Sequence, residues 1–226
     1  MLGDSHAIDL FGIVTSSNSS TRVPFIIGLT KGGCRPHTPL LECQYDGFNE
    51  FLISYPNVIK GVIYEQAGFY LLKTKNKKGE REMFSKIPLN DKVEGIHLDY
   101  KNIELTYQYL LKISDFVEVI WFGPRVEPHI NSKAILKLGC DYPFKLRNNT
   151  YEVFDMLDDH IEDYIKKDNN RIKFSSQNRE FKYSFPTDFV NCNEIYWSDG
   201  DHLSSEGEKK FGERFNIFSS FINKSE

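Results

Sequence analysis

The chain is poor in what several functional classes require. No apolar run approaches the ~20 residues of a membrane-spanning helix. Basic residues are not in excess; the formal net charge of −4 argues against nucleic acid as a partner. No linker and no internal repeat divides the 226 residues, so one monomeric domain over 1–226 is expected. Met1-Leu2 runs straight into a Gly-Asp turn, which leaves no secretory leader in view. His37, His97, His129 and His160 lack metal-ligand spacing or clustered carboxylates, so neither a metal nor a cofactor is expected. Cysteines number only four. They permit two disulfides, Cys34 with Cys43 across GCRPHTPLLEC and Cys140 with Cys192; four buried thiols in a reducing compartment are the alternative.

What is present suffices for one core, with 40% hydrophobic and 14% aromatic residues. It is laid out in alternating strand-like and helix-like stretches. AIDLFGIVTSS (7–17) carries Ile8, Leu10, Phe11 and Gly12 at helix-compatible spacing. VPFIIGL (23–29), GVIYEQ (61–66) and VEVIWFG (117–123) are short, nearly continuous apolar runs, as buried parallel strands show. KNIELTYQYLLKIS (101–114) places Ile103, Tyr107, Leu110 and Leu111 on one side of a helix, and YEVFDMLDDHIEDYIKK (151–167) spaces Val153, Leu157, Ile161 and Ile165 four apart. RIKFSS (171–176) reads as a last strand. A helix closes the chain in SSEGEKKFGERFNIFSSFI (204–222), with Ser205 to Glu208 as its capping box. KTKNKKGERE (73–82) reads as a solvated loop or hairpin insertion. The alternation predicts a parallel sheet covered by helices on both faces.

In such a sheet, ligands gather at the carboxyl ends of the strands. Ser5, in GDSH, stands where the first strand hands over to the first helix, among free backbone N–H groups that favour negative charge. A serine hydroxyl is a weak nucleophile and needs an adjacent base. His202, in DGDHLS just before the last helix, is that candidate. Asp199, three residues ahead, can sit beside the imidazole and leave its other nitrogen to face Ser5. Asp4 is expected to shape the turn through backbone hydrogen bonds. His6 either lines the cleft or is an exposed helix-start histidine. Arg125, in GPR after the fourth strand, meets an anionic or hydroxylated substrate or makes a surface ion pair. Trp197 stacks on a sugar ring or packs under the final helix. Trp121 and Phe122 read as core, and Cys34 as a disulfide partner rather than a reactive thiol.

GDSH (3–6) and DGDHLS (199–204) resemble the first and last blocks of the SGNH, or GDSL-like, hydrolase superfamily. LTKGGCRP (29–36) and WFGPRVEP (121–128) resemble middle segments of one group within it: the SGNH domains attached to acyltransferase-three membrane proteins, which O-acetylate bacterial surface polysaccharides. The resemblance covers nearly the whole chain. It implies a three-layer α/β/α sandwich on a mainly parallel five-stranded sheet, a Ser5–His202–Asp199 triad, and acyl-ester chemistry on a carbohydrate hydroxyl. It also implies an oxyanion hole built from the N–H groups of Ser5 and of Gly32 or Gly33. The asparagine that the superfamily places after the third strand has no counterpart in EQAGFYLL; either Gln66 donates its amide or only two backbone donors remain. The resemblance further implies an extracytoplasmic domain, the C-terminal part of a longer membrane acyltransferase whose first strand and targeting region lie upstream. Its partners would be an acyl donor, a surface glycan acceptor and the linked membrane domain. Two other classes share these residues: a free-standing acetyl or carbohydrate esterase, with water as acceptor, and a glycan-binding module without catalysis.

Overall fold

A two-residue strand, β1 (Leu2–Gly3), opens the chain and passes through Asp4 into α1 (Ser5–Ser16). There follow β2 (Leu29–Thr30), α2 (Tyr45–Ser54) and β3 (Gly61–Glu65). A 3₁₀ turn (Gly68–Leu71) leads into β4 (Leu72–Thr74) and β5 (Lys77–Lys78), then α3 (Glu82–Ser85), β6 (Ile96–Leu98) and α4 (Tyr100–Ser114). The second half runs β7 (Glu118–Phe122), α5 (Ser132–Leu138), α6 (Thr150–Lys167), β8 (Lys173–Ser175), α7 (Gln177–Phe181) and α8 (Ser205–Gly212). The structure, a computed structural model, describes residues 1–17, 25–37, 42–75, 77–78, 82–130 and 132–215.

Five strands form the central sheet in the order β2-β1-β3-β7-β8, every neighbouring pair parallel. Crossovers between parallel strands are right-handed. The step from β1 out to β2 therefore puts α1 on one face, while the steps in the other direction put α2, α4 and α6 on the opposite face. The last helix, α8, comes back against α1 so closely that a Cβ on Gly212 would lie 2.9 Å from the Ile13 carbonyl oxygen. The result is the three-layer α/β/α sandwich that the alternation predicts. The strand order reverses between β1 and β3, and a crevice outside the carboxyl ends opens at such a point.

The helices bury the stripes their sequences advertise. Val153, Leu157, Ile161 and Ile165 of α6 are all buried, as are Ile103, Tyr107 and Leu110 of α4. Each side chain of this size contributes about 1.5–3 kcal/mol when fully removed from water. On β7, Trp121 and Phe122 are core residues, Trp121 meeting Tyr64 of β3 edge-on at 6.2 Å.

Three details differ from expectation. The run at 23–29 is not a buried strand: only Leu29 and Thr30 pair, while Phe25 and Ile27 are 79% and 51% exposed, and 23–24 lie outside the described residues. As the edge strand, β2 has a neighbour on one side only, and two pairs suffice to close the sheet. The first strand lies within the chain, at Leu2–Gly3. Ser204, not Ser205, caps α8, its hydroxyl accepting from the Gly207 N–H at 3.1 Å; the expected helical tail past 215 lies outside the described residues. The charged insertion is a hairpin, one of the two forms expected of it: β4 and β5 pair antiparallel and join β6 in a three-stranded sheet, with 76 and 79–81 outside the description.

Both disulfides are formed, Cys34–Cys43 and Cys140–Cys192. Such bonds persist in oxidising, extracytoplasmic compartments. No described helix is long and apolar enough to cross a membrane.

Candidate active site

The turns that follow the strands converge at one edge of the sheet. Gly3 ends β1 at φ +148°, and a Cβ there would lie 1.8 Å from the Glu65 carbonyl oxygen of β3. Only glycine lets the two strands come this close. Asp4 then caps α1: its carboxylate accepts from the His6 N–H at 2.9 Å and from the Ala67 N–H at 3.0 Å, tying the turn after β1 to the turn after β3. Burial pushes the Asp4 pKa up to about 6, while these N–H groups and the charges of Arg35 and Arg125 restrain it. Asp4 thus shapes the turn. Ser5 comes next as the first residue of α1, where its own N–H has no intrahelical acceptor and the helix dipole is positive.

The far end of the chain folds back onto this turn. His202 Nε2 lies 2.8 Å from Ser5 Oγ, and His202 Nδ1 lies 3.0 and 3.1 Å from the two Asp199 oxygens. The 199–202 segment is a tight turn in which the N–H groups of Asp201 and His202 donate to Asp199 Oδ1 at 3.0 and 2.9 Å. Burial works to raise the Asp199 pKa, but the His202 ring and those two N–H groups outweigh it and hold the carboxyl well below the usual range. For His202 the balance runs the other way. Burial disfavours its cation, yet the Asp199 bond and the charges of Asp201 and Asp9 leave its pKa above the usual 6.5. The structure therefore brings the three residues proposed from sequence into one hydrogen-bonded line.

Two further networks support that line, and their pairings were not evident from sequence. His6 is fully buried; its Nε2 lies 3.4 Å from Asp201 Oδ2, and its ring meets His202 edge-on at 5.3 Å. Asp201 Oδ1 lies 3.6 Å from His202 Nδ1, so this buried carboxylate faces both histidines. Below them, Arg125 pairs with Asp9 of α1 and, at 3.0 Å, with Glu65 at the end of β3, and it donates to the Asp201 carbonyl at 3.1 Å. Asp9 accepts in turn from the Leu203 N–H at 3.0 Å. Glu65, fully buried, is pushed well above the carboxylate range by burial, against the pull of Arg125 and Gln177. The signal for this network was present only as charged residues inside apolar stretches, because the partners of Arg125 lie 116 and 60 positions away in the chain.

These contacts revise the substrate-contact assignments. Arg125 is fully buried and its charge is spent on Asp9 and Glu65, so it is neither a cleft arginine nor a surface ion pair. Trp197 is 1% exposed, packs against Tyr183, Phe185 and Phe211, and donates its indole N–H to the Asp188 carbonyl; it sits under α8 rather than facing a sugar. His6 packs behind His202 rather than lining the cleft. Gln66 is also interior: its Oε1 accepts from the Tyr64 hydroxyl, and its Nε2 makes no hydrogen bond among the described residues. Gly32, by contrast, approaches Ser5, with its Cβ position 3.9 Å from the serine Cβ. Arg35, just beyond Gly33, lays its guanidinium over the Tyr70 ring at 3.3 Å, a contact the sequence did not suggest.

His6, Asp201 and His202 each offer a ligand atom within 4.8 Å of the others. Both ring nitrogens of His202 are already engaged by Asp199 and Ser5, however, which favours a hydrogen-bonded relay over a metal cage. Cys140 and Cys192 lie near Asp141, but their sulfurs are consumed in the disulfide.

No protein-family model matches the chain, and no curated protein does. Among solved structures it is similar to a member of the lipolytic protein G-D-S-L family from Veillonella parvula, with 12% identity, a TM-score of 0.48, and coverage of 98% of this chain and 96% of that one. It is also similar to a putative platelet activating factor from Streptococcus pneumonia, with 12% identity, a TM-score of 0.46, and coverage of 97% and 80%. At this level neither likeness carries a statement about activity.

Proposed function

We propose that the protein is a serine-type acyl-transfer enzyme, with Ser5 as nucleophile, His202 as general base and then general acid, and Asp199 as the group that orients the imidazole. The observation that carries this reading is the 2.8 Å contact between Ser5 Oγ and His202 Nε2, continued at 3.0 Å to Asp199. Nucleophile, base and orienting acid within hydrogen-bond reach are the signature of an activated serine. In the first half-reaction Ser5 Oγ bonds to the carbonyl carbon of an ester while its proton passes to His202 Nε2. The oxyanion rests on the N–H groups of Ser5 and of Gly32 or Gly33. The tetrahedral adduct collapses, the alcohol leaves with the proton from His202, and an acyl-Ser5 ester remains. A second hydroxyl, deprotonated by His202, then takes the acyl group and restores the free serine.

The acyl group in this reading is acetyl and the acceptor is a hydroxyl of a bacterial surface polysaccharide, with the domain outside the cytoplasm and linked to a membrane acyltransferase that delivers the acyl group. The resemblance of GDSH, GGCRP and DGDHLS supports it, and the two disulfides support the oxidising location. Release of p-nitrophenol from p-nitrophenyl acetate tests the chemistry. Removing Ser5 or His202 is expected to lower the rate by ~10⁴-fold or more. If neither Ser5→Ala nor His202→Ala affects release, the triad reading is wrong. Addition of a sugar acceptor separates the two enzymatic outcomes: an acetylated sugar marks a transferase, and acetate alone marks an esterase.

A further inference from the structure

A cavity of about 410 Å³ opens beside the Asp199–Gly200 turn, walled by Ile87, Leu89, Ile130 and Ala134, with Arg147 and Asp199 as charged members of its lining. That volume falls in the ~300–1,000 Å³ range of small-molecule sites. Because Asp199 also holds the His202 ring, the cavity wall is one side chain away from the relay.

Arg147 sets the chemistry of this space. Its side chain is buried, with Nε donating to the Ile87 carbonyl at 2.6 Å, Nη1 to Pro128 at 2.7 Å and Nη2 to His129 at 3.2 Å. Among the described residues no carboxylate pairs with it, and burial alone weighs on its pKa, lowering it. Carbonyl dipoles hold the guanidinium in place without cancelling its charge, and a buried cation left so is costly. A guanidinium has five N–H donors, so some remain for a further acceptor. Asp199, elsewhere on the wall, is an acceptor suited to a hydroxyl. The aliphatic side chains suit the C–H face of a ring.

We propose that this cavity binds an anionic sugar residue, with its acidic group against Arg147, its ring over Ile87, Leu89 and Ile130, and a hydroxyl toward Asp199. This deepens the glycan reading above and rests on it, making the acceptor an acidic polysaccharide. A neutral sugar fills the space but leaves the Arg147 charge unmatched. An acyl chain suits the walls but presses hydrocarbon onto two charges.

Calorimetric titration of the Ser5→Ala protein separates these ligands without relying on catalysis. Binding by the Ser5→Ala protein together with no esterase activity in the protein that keeps Ser5 would sink the catalytic reading and leave the cavity standing; activity in the latter without binding in the former would do the reverse. Glucuronate, glucose 6-phosphate, glucose and octanoate are the probes. At least one anionic sugar is expected to bind about tenfold or more tighter than glucose, and which one wins tells carboxylate from phosphate. Both Arg147→Gln and Ala134→Glu should abolish that preference. Ala134→Glu adds a carboxylate to the cavity without touching the carbonyl bonds of Arg147, and so decides the matter if Arg147→Gln does not fold. Equal affinity for glucose, binding of octanoate alone, no binding of any probe, or a preference that survives in folded Ala134→Glu protein would overturn the proposal.

Discussion

Arg125 and Arg147 both sit buried behind the turns that carry the candidate site, yet they are neutralised differently. Arg125 lies between Asp9 and Glu65 and touches the Asp201 carbonyl, so its charge is matched within the chain. Arg147 is held by three carbonyl oxygens and faces a cavity. The first binds α1, β3 and the 201–203 turn into one frame, which fixes Ser5 and His202 relative to each other. The second positions the 128–129 and 87 segments and keeps charge in reserve. The difference lies in charge: carboxylates answer Arg125, whereas carbonyl oxygens alone answer Arg147, and on the reading proposed above a ligand supplies the missing anion.

Substitutions should separate the two arginines by size of effect. Arg125→Met strands two buried carboxylates and is expected to cost ~3–5 kcal/mol of unfolding free energy in urea titration. A loss below about 1 kcal/mol would show that Arg125 is not holding the frame. Opening Cys140–Cys192, which closes a separation of 52 residues, should cost ~2–5 kcal/mol. Opening Cys34–Cys43, with a separation of 9, should cost less; the reverse order would contradict the loop-length account. Arg147→Gln strands no carboxylate and gives up three bonds to carbonyls, so ~1–3 kcal/mol is expected. If it proves as damaging as Arg125→Met, the contrast between the two fails.

The smallest expected effect is a shift in pH dependence. His202 must be neutral to accept the Ser5 proton, and its pKa lies above the usual 6.5. The kcat/KM of ester hydrolysis should therefore rise with pH through an apparent pKa above that value. Asp201→Asn removes one of the charges favouring the imidazolium, so the rising limb should move to lower pH while the Asp199–His202 bond persists. An unmoved or upward-shifted limb would show that Asp201 does not act on His202.

Much of the frame was legible in the sequence, for reasons specific to each part. The α4 and α6 stripes recur at helical spacing, and a repeat of that kind survives any tertiary context. Ser5 and the Asp199–His202 pair were legible because each sits at an element boundary, where turn residues are few and chemistry-bearing ones stand out. The 23–29 run misled because apolar composition does not say whether a strand is central or an edge, and here Phe25 and Ile27 face water. Arg125 and Trp197 stand at the expected edge of the sheet, but the direction of a side chain depends on partners far away in the chain, and both turn inward. The His6–Asp201 contact joins residues 195 positions apart and has no local signature.

The central claim is that Ser5 is a nucleophile activated by His202. Intact-mass and peptide analysis after exposure to a fluorophosphonate tests it most directly. One adduct, on the peptide containing Ser5, absent from Ser5→Ala and strongly slowed in folded His202→Ala, is the expected result. An unmodified protein, or labelling that proceeds equally well without His202, would contradict it.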